Sequence, residues 1–99
     1  MKKITYSPHL EFRLKVRGIS KLLPKRIFQT AKEHYFDTLT RKNIAVKKAR
    51  YKNKFREIAV IYEELGSQII LITVHPLKTF QKKRRIKSKR WQKILKEKG

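Results

Sequence analysis

The chain of 99 residues has no cysteine, three scattered histidines and only seven acidic residues. Without cysteine there can be no disulfide, thiolate nucleophile or zinc-ribbon site, and separated histidines do not favour a metal or other cofactor. The longest apolar run, at 69–74, is too short to span a bilayer. No apolar signal-peptide stretch follows Met1. We therefore expect a cytoplasmic protein with no cofactor and no membrane contact.

Positive charge is what the chain has in excess. It carries 28 lysines and arginines and a formal net charge of +21. Residues 78–99 hold eleven of these cations against one acid, Glu97. Such a charge favours a phosphate-rich partner, above all RNA, although an acidic protein would also match it. Five large apolar side chains interrupt the basic run and suggest that it docks on a core: Phe80, Ile86, Trp91, Ile94 and Leu95.

The length predicts one small domain. The order of predicted strands and helices makes it α+β, with its core in residues 1–77 and the basic segment 78–99 docked on it. A short strand is expected at 4–6. Ser7 then suits the N-cap of a first helix and Pro8 its first turn. Gly18 suits the position just past the end of that helix. The apolar face predicted for this first helix consists of Leu10, Phe12, Leu14 and Val16.

The same helix places His9, Arg13 and Arg17 on one stripe, because residues four apart share a face. Like charges at this spacing repel each other weakly, so the stripe would suit a bound anion or a carboxylate. An ordinary solvated helix face explains the pattern equally well. We therefore leave both interpretations open.

A second helix is predicted at 20–33, followed by a polar connection at 37–43, with His34 on the surface. Three antiparallel strands then follow. The last strand is apolar at nearly every position, as in a strand covered on both faces. We expect the helices on one face and the basic segment on part of the other, with short helices capped by Thr79 and Ser88. The strands are predicted at 44–51, 55–63 and 68–75.

Three stretches in this order are similar to signature stretches of a known group. They are His-x3-Arg-x3-Arg-Gly-Ile at 9–19, Ile-Thr-Val-His-Pro at 72–76, and Arg-Ile-Lys-Ser-Lys-Arg-Trp at 85–91. The chain thereby resembles a group of short bacterial and archaeal proteins related to the BrnT-like branch of the RelE/ParE-like toxin superfamily. It departs from the group's pattern at Lys89, where glycine is expected, and this puts in doubt a positive-φ turn there.

The resemblance implies a β-α-α-β-β-β fold and the toxin component of a toxin–antitoxin pair. Such a toxin would cleave RNA without metal by 2′-hydroxyl attack, in some cases on the ribosome, and a small acidic antitoxin would hold it inactive. This chemistry needs a base, stabilisation of the charged phosphorane and protonation of the 5′-oxygen. The catalytic candidates are His9, His75, Arg85, Lys87 and Arg90. The RNA-binding candidates are Arg13, Arg17, Tyr51, Lys82, Lys83, Arg84, Lys89 and Trp91.

Other interpretations of these residues stay open. His75 serves equally well as the residue that ends a strand before Pro76, and Trp91 fits better as a core anchor than as a base-stacking residue. Tyr51 and Phe80 could stack bases. The whole protein could also be a non-enzymatic RNA- or ribosome-binding module, or an inactive toxin-like protein that acts through an acidic partner. The sequence leaves open whether the protein is an enzyme.

Overall fold

A computed structural model describes residues 2–94 of the chain. These residues form an α+β fold with three helices and a six-stranded sheet, so the α+β class is confirmed, although the sheet is mixed rather than antiparallel. In chain order the elements are β1 (Lys3–Tyr6), α1 (Pro8–Arg17), α2 (Leu23–Thr30), β2 (Glu33–Asp37), β3 (Lys42–Tyr51), β4 (Lys54–Leu65), β5 (Gln68–Pro76), α3 (Gln81–Lys87) and β6 (Trp91–Lys93).

The sheet has the strand order β1-β5-β4-β3-β2-β6. The predicted antiparallel meander, β3 to β5, forms its middle. The edge strand β1 pairs in parallel with the first half of β5. Beyond this pairing, Ser7 connects the chain to β5, since its backbone N–H donates to Leu71 O at 2.9 Å and its hydroxyl to Ile72 O at 3.2 Å. Helix α1 therefore starts beside the second half of β5.

Helix α1 has the predicted bounds and caps. The Ser7 hydroxyl accepts a hydrogen bond from the Leu10 N–H at 3.1 Å, and Gly18 ends the helix in the left-handed conformation with φ +64°. The predicted apolar face was too broad, however. Leu10 and Leu14 are buried, whereas Phe12 and Val16 are 65% and 68% exposed. Only one stripe of a surface helix can face the sheet, and the other two side chains lie outside it.

The second predicted helix is shorter than expected. Helix α2 ends at Thr30, and Ala31 is already extended, so the segment predicted to close the helix is the strand β2 instead. His34 was predicted on the surface, but it is 2% exposed and its Nδ1 lies 2.8 Å from the Tyr62 hydroxyl. Pairing with β3 overrides the local helical pattern and turns His34 toward the core under α2.

The basic segment differs most from its predicted form. Its described part, residues 78–94, contains one helix, α3, which starts after Phe80 rather than at a Thr79 cap and ends at Lys87, with Ser88 as its C-cap. Trp91 begins the strand β6 instead of a second helix, and β6 pairs with β2. Leu95, assigned to that second helix, lies outside the described residues. The turn between α3 and β6 has φ +63° at Lys89, so a lysine occupies the left-handed position where glycine was expected.

The two faces of the sheet carry separate clusters of buried side chains. The larger one lies under α1 and α2. On the opposite face Trp91 is 4% exposed and packs against side chains of β2, β3 and β4. Phe80 and Ile86 do not dock as expected, because they remain 65% and 40% exposed. The smaller cluster consists of Tyr35, Ile44, Val46, Ala59, Leu77 and Trp91.

Candidate nucleic-acid interface and cleavage site

A cavity of about 350 Å³ lies between α3 and the sheet face that α1 and α2 leave open. We call it the cleavage cavity, after the role that is proposed for it below. Its polar lining includes His75 at the end of β5 and Gln81 and Arg85 on α3. The floor is apolar and suits the face of a nucleobase. The floor residues are Ile44, Ile61, Ile72 and Trp91.

A β-bulge shapes one wall of this cavity. Thr73 pairs with Ile61 and Leu71 pairs with Tyr62, so Ile72 is an extra residue in β5. Side chains normally alternate between faces along a strand, but Ile72 and Thr73 both line the cleavage cavity. The bulge thus adds a hydroxyl group beside the apolar floor. Nothing in the alternation of the sequence pointed to it.

His75 is the one histidine among the described residues that lines the cleavage cavity. Its pKa is lowered from the ordinary value of 6.5, first by burial and then by the positive charge of Arg17 at the end of α1. A histidine of this kind is neutral at pH 7 and can accept a proton. The structure thereby links two of the three sequence stretches, since Arg17 acts on His75.

The predicted stripe on α1 does not line this cavity, and Arg17 acts on His75 through its charge. His9 and Arg13 are exposed and do not line it. Lys87, the other acid–base candidate, is also exposed and outside it. The structure therefore does not bring two acid–base candidates together around a substrate. Of the five catalytic candidates, His75, Arg85 and Arg90 share the cavity.

Arg90 is held by a carboxylate that sequence analysis missed. Its Nε lies 2.9 Å from Oδ1 of Asp37 and its Nη2 lies 3.0 Å from Oδ2, and the Trp91 indole N–H donates to the same Oδ2 at 3.3 Å. Burial alone would raise the pKa of Asp37, but hydrogen bonds from Arg90 and from the backbone N–H groups of Leu39 and Thr40 lower it to about 2. Arg90 is therefore better placed to anchor β6 than to clamp a phosphate.

Lys82, predicted to bind RNA, is neutralised in a similar way. Its Nζ lies 3.0 Å from Glu33 Oε1 and 2.7 Å from Glu57 Oε2, and the Tyr35 hydroxyl donates to Glu33 Oε1 at 2.6 Å. Partial burial opposes the charge of Lys82, but the two carboxylates outweigh it and raise its pKa. Burial and the hydrogen bond to Glu33 raise the pKa of Tyr35 to about 12. This network fixes α3 to the sheet, and Lys82 is not a free cation.

Two of the aromatic candidates for base stacking, Tyr51 and Trp91, are buried in the fold. Tyr51 is 9% exposed within the larger core cluster, so it has no open face for a base and that prediction is wrong. The Trp91 indole stacks on the Tyr35 ring, with centroids 5.7 Å apart and planes at 28°. Trp91 is thus the core anchor that we considered the better interpretation, and only a small part of it reaches the cavity floor.

The remaining basic candidates form an exposed surface around α3. Lys83, Arg84 and Lys89 are exposed, and none of them forms an ion pair with another described residue. Within residues 2–94 no group of three or more acidic, histidine or cysteine side chains could hold a metal ion. In the same range, no helix is both long enough and apolar enough to cross a membrane.

The comparisons with known proteins add no assignment. No protein-family model matches the chain, and no curated protein or solved structure does so either. The geometry and charge of the described residues therefore carry the functional argument.

Proposed function

We propose that this protein binds RNA and cleaves it in the cleavage cavity without a metal ion. The observation that carries the proposal is the position of His75. It lies in a cavity beside Arg85, with its pKa lowered by burial and by Arg17, next to an exposed basic surface. A neutral imidazole beside guanidinium groups suits a reaction that removes a proton and creates negative charge on a phosphate.

In this mechanism a ring nitrogen of His75 takes the proton of the 2′-hydroxyl. The 2′-oxygen then attacks phosphorus, and the bond to the 5′-oxygen breaks to leave a 2′,3′-cyclic phosphate. The Arg85 guanidinium offers paired N–H donors to the phosphorane oxygens, where negative charge increases in the transition state. We propose that solvent supplies the proton to the 5′-oxygen, because no second histidine of the described residues lines the cavity.

The resemblance of the three sequence stretches to RelE/ParE-like toxins supports a wider proposal. In it the protein is the toxin of a toxin–antitoxin pair, its substrate is free or ribosome-bound RNA, and an acidic antitoxin covers the basic surface. The net charge of +21 suits both of these partners.

A non-enzymatic RNA-binding module is the second candidate. Two observations favour it: Arg90, a catalytic candidate, is bound to Asp37, and His9 lies outside the cavity. Among the described residues, His75 is therefore the one acid–base candidate of the sequence analysis that lines the cavity. In that case the exposed cations alone would perform the function.

Incubation with single-stranded RNA in the presence of a chelator distinguishes the two candidates. Cleavage predicts ends with a 2′,3′-cyclic phosphate, or the 3′-phosphate formed by its hydrolysis, as identified by mass spectrometry. The matched control is His75→Ala, which should bind the RNA but leave it intact. Binding without cleavage by the wild type, with and without ribosomes, would favour the RNA-binding module.

A further inference from the structure

A second cavity, of about 450 Å³, lies on the other side of α3. Helix α3 lines both cavities with different residues, since Gln81 and Arg85 line the cleavage cavity and Lys82 and Lys83 line this one. Lys48, Lys78 and Lys83 contribute exposed ammonium groups to its lining. Its single acidic residue, Glu57, is bound to Lys82. The cavity is therefore open to anions, with a net positive lining.

Phe80 is the unusual residue of this second cavity. Five non-glycine residues within 2–94 have positive φ, and Phe80 is the aromatic one among them, with φ +64° and ψ 3°. A left-handed backbone is unfavourable for a bulky side chain, and a turn that needs it normally has glycine or asparagine there. Burial of the ring does not compensate, because Phe80 is 65% exposed. Strained residues cluster at functional sites, which makes Phe80 a candidate for a functional residue.

The surroundings of the ring suggest its ligand. The Nζ of Lys83 lies over the Phe80 ring, 5.8 Å from its centroid, and the phenylalanine is still 65% exposed. An open aromatic face beside ammonium groups matches a nucleotide, whose base is flat and whose phosphate is negative. Proteins that bind single strands combine these two features, with bases stacked on aromatic side chains and phosphates in a basic groove.

We propose that Phe80 is a stacking platform for an unpaired base of the bound strand, whose phosphates lie against Lys78 and Lys83. The inference rests on the proposed function in taking RNA as the ligand, and it adds a nucleotide site outside the cleavage cavity. Because α3 is the wall shared by both cavities, a strand in the cleavage cavity reaches Phe80 by crossing this helix. Every base has a flat face that can stack, so stacking on Phe80 strengthens binding without sequence specificity.

The test measures affinity for a strand that the protein cannot cleave. A single-stranded DNA of about ten nucleotides is within the range of single-strand site sizes and lacks the attacking 2′-hydroxyl. Fluorescence anisotropy at fixed salt should show affinity reduced roughly 5- to 100-fold in Phe80→Ala, the range of one stacked base. Phe80→Trp should bind at least as tightly as wild type. The matched control is Phe12→Ala, because Phe12 is also 65% exposed but lies on α1.

An abasic strand of the same length completes the test. Without bases to stack, wild type and Phe80→Ala should bind it equally, since both keep the same cations. The proposal is overturned if wild type binds the abasic strand as tightly as the normal one, a comparison that needs no variant to fold. It is also overturned if Phe80→Ala and Phe12→Ala lose equal affinity for normal DNA. Absence of RNA cleavage would refute the cleavage mechanism but would leave these binding results unchanged.

Discussion

Replacing Arg90 with alanine should destabilise the fold rather than remove a catalytic group. The Asp37 carboxylate accepts five hydrogen bonds, two of them from Arg90. Together these contacts lower its pKa from 3.8 to about 2, a difference worth about 2 kcal/mol of folding free energy at neutral pH. Removing Arg90 also leaves a buried charge without its cation, so we expect Arg90→Ala to lose about 2 kcal/mol.

The pH dependence of that loss follows from the direction of the shift. The folded pKa of Asp37 lies below the unfolded one, so the contribution is fully present above the unfolded value of 3.8 and disappears as the pH falls toward about 2. Urea unfolding should therefore show a large difference between wild type and Arg90→Ala at pH 7. At about pH 2 the difference should be small.

Arg85→Ala is the matched control because Arg85 lines the same cavity without an ion pair to Asp37. It should keep wild-type stability and lose cleavage activity. The double variant Arg90→Ala with Asp37→Asn should recover part of the lost stability, because the uncompensated charge is gone. If Arg90→Ala is as stable as wild type at pH 7, or equally destabilised at both pH values, the assignment of Arg90 to a structural ion pair is wrong.

The remaining predictions concern the base, the basic surface and the turn before β6. His75→Ala should slow single-turnover cleavage by about a hundredfold or more, whereas His9→Ala should not. The cleavage rate of the wild type should rise with pH through a pKa below 6.5 and then level off, because the neutral form of His75 is the base. Glutamine at Lys83 or Arg84 should weaken RNA binding for all sequences and reduce its salt slope by about one each, as measured by titration at several salt concentrations. Lys89→Gly should raise the melting temperature, because glycine removes a left-handed strain of about 1 kcal/mol at φ +63°; an unchanged or lower melting temperature would contradict this.

Elements with strong local signals could be predicted from the sequence. The Ser7 and Gly18 caps define α1 by rules that involve only neighbouring residues. The apolar alternation of β3 to β5 likewise defined the middle of the sheet. For the site, the stretch at 72–76 drew attention to His75, which the structure places in a cavity. Its chemical role remains a prediction.

Features that depend on distant pairing could not be predicted. β2 followed a helical pattern in the sequence and becomes a strand because β3 and β6 pair with its two edges. The ion pair of Asp37 with Arg90 joins residues 53 positions apart, and no spacing rule covers such a distance. The bulge at Ile72 likewise depends on its register with β4. These three features decide which predicted site residues share the cleavage cavity.

The positions of the few acidic residues explain how so basic a chain can fix the residues around the cavity. Of the seven acids, the structure describes six, and five of these six form ion pairs. Glu33, Glu57 and Asp37 hold Lys82 and Arg90, one at each end of the segment that carries Arg85. The other cations of α3 are left without this compensation, and their mutual repulsion opposes folding. A bound polyanion relieves that repulsion and stabilises the folded state in proportion to its affinity. The same arrangement of charge therefore fixes the segment that carries Arg85 and leaves the surrounding surface positively charged, as the proposed binding of RNA requires.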